Sequence, residues 1–489
     1  MWPARRGARS VLVVAALTAG VLVGGHCVGG SAVAAVATPA TAEQPASARP
    51  VSSVTQAWVA RFQGANGTAI ASTVKVSPDG STVYVTGGSA AAIGTYDFAT
   101  VAYNAATGAQ QWASYYAGPG PNGFLAADLV VSPDGSTVYV TGPSGGSTSG
   151  LDYATVAYDA VTGAQLWVSR YNGPANGDDG SSSLAISADG HTLYVTGGSP
   201  GVGSQNDYAT IAYAAATGTQ LWVSRYNGPG NGKDYARGVV VNRTGTRVYV
   251  TGGSTGTSSN FDYATVAYRT SDGAQLWVRR YNGTANTKDY GHGVALSPDG
   301  RTVFVTGASR DRGHGVDYAT IAYNAATGTT RWLRRYNGPG NNTDDAIAIA
   351  AGPGGRAVYV TGYSAGQTTG QDYATIAYSA STGARLWISR FNGTASQNDM
   401  ATALAVGPGG KTVYVTGFST ATHAAGYVYA TVAYAAATGR KLWVQTYGVG
   451  SGGSLASAVA AGPSGHSVFV TGSSQGSGGY NYLTIAYRD

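Results

Sequence analysis

Glutamate is almost absent from this chain, cysteine occurs once, methionine twice, and only 11% of the 489 residues are charged. Each scarcity excludes something. The single glutamate is Glu43, near the N-terminus, so glycosidase chemistry with paired carboxylates would have to use aspartates alone. The single cysteine is Cys27, which leaves no partner for a disulfide within the chain, so stability must come from packing. The formal charge of +6 includes Arg5, Arg6 and Arg9; the remaining +3, with no block of like charges anywhere, is too weak to argue for nucleic acid. No helix-period segment interrupts the body. No nucleophile-elbow motif accompanies the many serines, and the glycine-rich loop at Gly228 lacks the Gly-Lys-Ser/Thr and helix start of a phosphate cradle.

What is present begins with an address. Arg5, Arg6 and Arg9 precede an apolar run from Val11 to Val23, and Ala35-Val36-Ala37 has the small-x-small form of a cleavage site. This is a secretory signal in outline, because a bilayer span needs roughly 20 apolar residues. Residues 1–37 read as a signal peptide and 38–55 as an Ala/Thr/Ser/Pro linker. The product is expected to be secreted or attached to the cell surface, free of the membrane after cleavage, and monomeric.

The rest is one phrase repeated. Val-Tyr-Val-Thr-Gly or a close variant starts at Val83, Val138, Leu193, Val248, Val303, Val358, Val413 and Val468, a constant step of 55. Asp-Tyr-Ala-Thr-Val-Ala-Tyr starts at Asp97 and recurs at Asp152, Asp207, Asp262, Asp317 and Asp372, with degenerate copies at Val428 and Asn481. Tryptophan follows at 58, 112, 167, 222, 277, 332, 387 and 443. A period of this size means an array or a propeller.

One repeat, from Ser181 to Asn227, resolves into four strands: Ser183–Ser187, His191–Gly197, Asp207–Tyr213 and Gln220–Tyr226. Pro-Asp-Gly turns at Pro78, Pro133 and Pro298 supply a preset φ and then a positive one. Four antiparallel strands per repeat make a propeller blade. Trp58–Phe62 is a fourth-strand phrase with no blade before it, and Tyr482–Tyr487 is a third-strand phrase with no fourth after it. The expected fold over 56–489 is therefore an all-β, eight-bladed propeller, closed by the N-terminal strand completing the last blade. Closure removes the open sheet edges.

Two aspartate series stand out. The outer one opens the third strands, and Arg170, Arg225, Arg280, Arg335 and Arg390 are placed to pair with it across the ladder. Where the aspartate becomes Val428, the arginine becomes Thr446, which favours a structural ion pair. The inner one precedes the first strands at Asp179, Asp234, Asp289, Asp344 and Asp399. These five are the candidate ligand-binding residues, as a ring near the channel that could take Ca²⁺ if its oxygens converge. Their repetition in nearly every blade favours loop capping, since a site usually breaks symmetry. His191, His292, His314, His423 and His466 show no metal-ligand spacing, and solvated turns are their expected place. Tyr-Asn-Gly loops could offer flat contacts to sugars or proteins. Arg310–His314 and Phe124 break the pattern on the face where a ligand is expected.

The phrase Ala157-Tyr-Asp159-Ala-Val-Thr-Gly163-Ala-Gln-Leu-Trp167 resembles the tryptophan-docking motif of quinoprotein (PQQ-type) dehydrogenase propellers, although only this copy keeps the aspartate. The order Tyr-Ala-Thr, Gly-x-x-Leu-Trp, Arg-Tyr-Asn-Gly-Pro and Val-Tyr-Val-Thr-Gly resembles the bacterial SBBP repeat family, and the turns before Val-Tyr-Val resemble YVTN-type propellers. The resemblance implies the fold across nearly all of 56–489 and tryptophans packed between blades, and it is nearly mute on activity. The expectation is an exported non-catalytic scaffold that binds a protein or glycan through one face. A PQQ-like quinoprotein oxidoreductase is the alternative. No cofactor is expected, with calcium and PQQ left open.

Overall fold

The computed structural model describes residues 54–92, 95–120, 123–313, 315–421, 426–448, 453–476 and 478–488. The expected signal over 1–37 and nearly all of the expected linker lie outside these residues, as do His314 and His423. Eight four-stranded antiparallel sheets form the body. In blade 4 the strands are Asp234–Val241, Arg247–Thr255, Phe261–Arg269 and Gln275–Tyr281. The first strands of blades 1–8 begin at Ala69, Asp128, Gly180, Asp234, Asp289, Asp344, Asp399 and Ser454, and each touches the next around the axis. Thr55–Phe62 supplies the fourth strand of blade 8, with Val59 opposite Ile485. The ring is an eight-bladed propeller fastened by its N-terminal strand.

Both faces of each blade are dry, which is why the third strand is built from small and β-branched residues. Ala154, Thr155, Val156 and Ala157 are all 0% exposed. The hydroxyls this buries are paired: in every blade a second-strand threonine meets a third-strand threonine, from Thr86–Thr100 to Thr471–Thr484, at 2.9–3.2 Å. Such pairing offsets the cost of taking hydroxyls out of water.

Neighbouring blades are joined by tryptophan and tyrosine. Seven indole N–H groups donate to a carbonyl of the next blade at 2.7–3.1 Å, as Trp112 does to Ala160. The indole lies against the next blade's turn glycine. A Cβ on Gly163, where φ is +72°, would stand 2.6 Å from Trp112 Cδ2, so this turn needs glycine for its conformation and for the ring it carries. Seven tyrosine hydroxyls also cross the seams, from Tyr153 to Ala209 O round to Tyr482 to Ala99 O. The seam between blades 1 and 2 has Phe98 in that slot.

Strand limits differ from the sequence expectation by a few residues. The first strand of blade 3 is Gly180–Ile186 and not Ser183–Ser187, because a bulge between Ser181 and Ser183 disrupts the alternation that marks a strand. The first-to-second and third-to-fourth turns share one side of the ring, the turn face. The loops into the first strands and between second and third strands share the other, the loop face. On the turn face Asp79 accepts hydrogen bonds from Ser77 and Ser81, which hold its carboxyl down at about 2.

Candidate functional site

The outer aspartates are structural, as their pairing with arginine implied. Arg280 donates to Asp262 at 2.8 Å, to the Ser254 hydroxyl and carbonyl, and to the Tyr226 hydroxyl of the preceding blade. The same fan recurs at Arg170, Arg225, Arg335 and Arg390, so each arginine bonds its own blade and its neighbour. In blade 1 Tyr115 stands in the arginine slot, and burial raises the Asp97 carboxyl above the usual range.

The inner series is a ring of loop staples in the structure. Asp179, Asp234, Asp289, Asp344 and Asp399 are each 0% exposed, and each accepts the backbone N–H of a loop glycine, as Asp234 does from Gly228 at 2.7 Å. Asp234 accepts Thr255 N–H as well. Burial is the largest influence on all five and raises their carboxyls. The loops they close carry asparagines at positive φ, such as Asn231 at 49°. Blades 8, 1 and 2 have Ser454, Ala69 and Phe124 in this slot.

Half-exposed residues lie one and three places further on in blades 4 to 6. The buried aspartate alternates with a half-exposed residue, and the first strand then bulges, as between Ala236 and Gly238 or Gly291 and Gly293. Bulges re-aim side chains. In blades 3 and 7 the bulge residues Ser182 and Thr402 donate to the next first strand, at Ala236 O and Ala456 O. In blades 4 and 5 the bulge residues are Arg237 and His292, too long to make that bond.

These positions assemble a blade-specific arc. Tyr235 packs on Phe261 with ring centroids 6.2 Å apart, and Phe261 on Tyr290 at 5.0 Å. Tyr290 stacks on His292 at 6.4 Å. His292 Nε2 stands 3.3 Å from Asp345 Oδ1, out of hydrogen-bond alignment, so both atoms lack a hydrogen-bond partner among the described residues. Tyr363 donates to Asp345 Oδ2 at 3.3 Å. Burial raises the hydroxyls of Tyr235 and Tyr290, and the Arg237 guanidinium draws both back down. Blades 6 to 8 continue the rim with an apolar cluster of Tyr363, Met400, Phe418, Ile347 and Leu455.

The arc fits because the preceding blade makes room. A Cβ on Gly198 would meet Tyr235 Cδ1 at 2.8 Å, and one on Gly253 would meet Tyr290 Cδ1 at the same distance. His292 is therefore not in a turn, contrary to expectation; it lies in the first strand Asp289–Leu296, while His191 and His466 are exposed at turn ends. The repeat itself carries the signal, since the slot of Tyr235, Tyr290 and Asp345 and the slot of Arg237 and His292 are filled differently in the other blades. Of the other pattern-breakers, Phe124 is half-buried, and Asp311 lies 3.5 Å from Arg335 Nε.

Aromatic faces, a guanidinium and a His–Asp pair at a channel mouth can recognise hydroxyls, amides and anions. The fold and this mouth define an eight-bladed propeller with tryptophan-docked, quinoprotein-like repeats. A family model described as the outer membrane protein assembly factor BamB matches residues 97–277 and 262–478. The chain belongs to that family. No curated protein matches it. Among solved structures it is similar to BamB from Moraxella catarrhalis, at 13% identity and TM-score 0.52, covering 89% of this chain and 100% of that one. It is similar to Sqt1 from Chaetomium thermophilum, at 11% identity and TM-score 0.58, covering 89% and 100%. A quinohemoprotein alcohol dehydrogenase from Pseudomonas putida matches at 14% identity and TM-score 0.51, covering 89% and 76%. At these identities the likeness is one of fold.

A quinone cofactor with its metal needs hard donors gathered at one point. Among the described residues no group of three or more His, Cys, Asp or Glu could hold a metal ion, and each aspartate of the ring commits one oxygen to a backbone N–H group of its own loop. The side chains present do not fit that group.

Proposed function

We propose that this chain is an exported, non-catalytic scaffold that holds a protein or glycan ligand on its loop face, at the channel mouth of blades 4 to 6. One observation carries the reading. The repeated polar residues are consumed by the fold, whereas Tyr235, Arg237, Tyr290, His292 and Asp345 break the repeat together and line one mouth. Membership of a family described by an assembly factor supports a protein ligand, and the SBBP-like phrases with the N-terminal signal support export. Asp179, Asp234, Asp289, Asp344 and Asp399 enter this reading as the residues that hold the surrounding loops. In this reading the protein is a monomer, free of the membrane once its signal is cleaved.

The experiment is to screen purified protein against a glycan array and against exported proteins of its own cell, then repeat the positive pair with Tyr290→Ala and His292→Ala. Binding without turnover that both variants weaken is the expected result. The second reading, a quinoprotein oxidoreductase, is favoured by the repeat type. A rise in melting temperature with PQQ and calcium, joined by reduction of an electron-accepting dye, would replace the scaffold reading.

A further inference from the structure

Charge is distributed unevenly around the ring. Residues 54–230, which form blades 1 to 3 and the closing strand, carry four Lys or Arg against ten Asp, whereas residues 231–445, blades 4 to 7, carry twenty against eleven. Much of the excess falls on the turn face. The residue after the first turn glycine is Ser81 in blade 1 and Ser136 in blade 2, but Arg301, Arg356 and Lys411 in blades 5, 6 and 7. All three of these cations are exposed, and none forms an ion pair among the described residues. The start of the fourth strand follows the same trend, from Gln110 and Gln165 in blades 1 and 2 to Arg385 and Lys441 in blades 6 and 7.

The fold does not require these charges. The backbone of the slot is what the blade uses: Ser81 O and Ser136 O accept from Ala105 and Ala160, as Arg301 O, Arg356 O and Lys411 O do from Ala325, Ala380 and Ala436. Serine and arginine therefore serve the same backbone role, and the side chain is free for a partner. Glycine pairs at Gly354-Gly355 and Gly409-Gly410 leave the surface between the cations low and open.

We propose that the turn face of blades 5 to 7 binds an acidic polysaccharide, a sugar chain bearing carboxylate or phosphate groups. This goes beyond the loop-face reading and stands independently of it. Spaced single cations match the spaced single charges of such a chain, one contact per blade. The face supplies no stacking platform for bases, because its exposed large apolar side chains include Leu166, Leu221, Leu276 and Leu386 and no aromatic ring among the described residues.

The test measures binding of the full chain to immobilised polygalacturonate and to a phosphate-bearing polysaccharide, with neutral dextran and duplex DNA alongside. The triple variant Arg301→Ser, Arg356→Ser, Lys411→Ser carries residues that blades 1 and 2 already tolerate, so it folds. Binding at low salt that weakens roughly ten-fold in the variant and fades as salt is raised is the expected result, and whichever acidic polymer binds more tightly identifies the anion. Lys233→Ser with Lys288→Ser, on the loop face, leaves binding unchanged. Absence of binding to both acidic polymers, an equal loss in the loop-face control, tighter binding to DNA, or salt-sensitive dimerisation that the triple variant abolishes would each overturn the proposal.

Discussion

His292 Nε2 and Asp345 Oδ1 face each other at 3.3 Å across the seam between the fifth and sixth blades, without a hydrogen bond between them. Ion pairs that hold this fold look different: Arg280 and Asp262 meet at 2.8 Å within a fan of further bonds. The contrast separates an ion pair bonded into the fold from a close pair that makes no such bond.

Double-mutant cycles measure that contrast. His292→Ala with Asp345→Ala is expected to show a coupling below about 0.5 kcal/mol in unfolding free energy, while Arg280→Met with Asp262→Asn couples by about 1–3 kcal/mol. A coupling at the channel mouth as large as that at the fan would make His292 a structural residue.

Gly218→Ala tests the docking of tryptophan on the turn. At φ +70° a methyl group is strained, and its carbon would stand 2.5 Å from Trp167 Cε3. The expected cost exceeds about 1 kcal/mol from the backbone alone and rises with the displaced indole. Urea unfolding followed by tryptophan fluorescence reads it.

Phe98→Tyr looks like a repair, since seven other seams carry a tyrosine there, but it is expected to destabilise by about 1–3 kcal/mol. Where a Cβ on Gly252 would meet the Tyr208 hydroxyl at 2.8 Å, one on Gly142 meets Phe98 Cζ at 2.8 Å. The ring carbon already occupies the place of the oxygen, so an added hydroxyl has no room. A higher midpoint of denaturation in the variant would refute this packing argument.

Acid titration should resolve two classes of aspartate with opposite sign. Turn carboxyls such as Asp79 are held below their unfolded value of about 3.9, so their stabilisation is present above that pH and is lost as pH falls toward about 2. Ring carboxyls such as Asp234 are raised by burial. Their contribution is present below about 3.9 and is lost as pH rises through the folded value. Stability measured from about pH 2 to 7 should lose its acid-side slope partly in Asp79→Asn and its rise-side slope partly in Asp234→Asn.

The period of 55 residues made the ring, the blade count and the closure between Val59 and Ile485 legible before any coordinates, because repetition states each packing rule eight times. The Arg280–Asp262 pair was legible for the same reason, through its joint loss at Val428 and Thr446. The channel mouth was not. Its residues are confined to blades 4 to 6, where Tyr235, Tyr290 and Asp345 share one slot and Arg237 and His292 another, and the bulge at Arg237 and His292 breaks the alternation by which a strand face is read. The recurrence of Asp179 and its equivalents suits the loop staple that each forms.

The strand Thr55–Phe62 is synthesised first and finds its partner, Gly479–Arg488, last. As the chain is made, the leading ribbon stays unpaired until the trailing one emerges, so closure of the ring waits on the whole sequence. Moving those residues to the far terminus by circular permutation would make the final vane a local hairpin and shorten the wait.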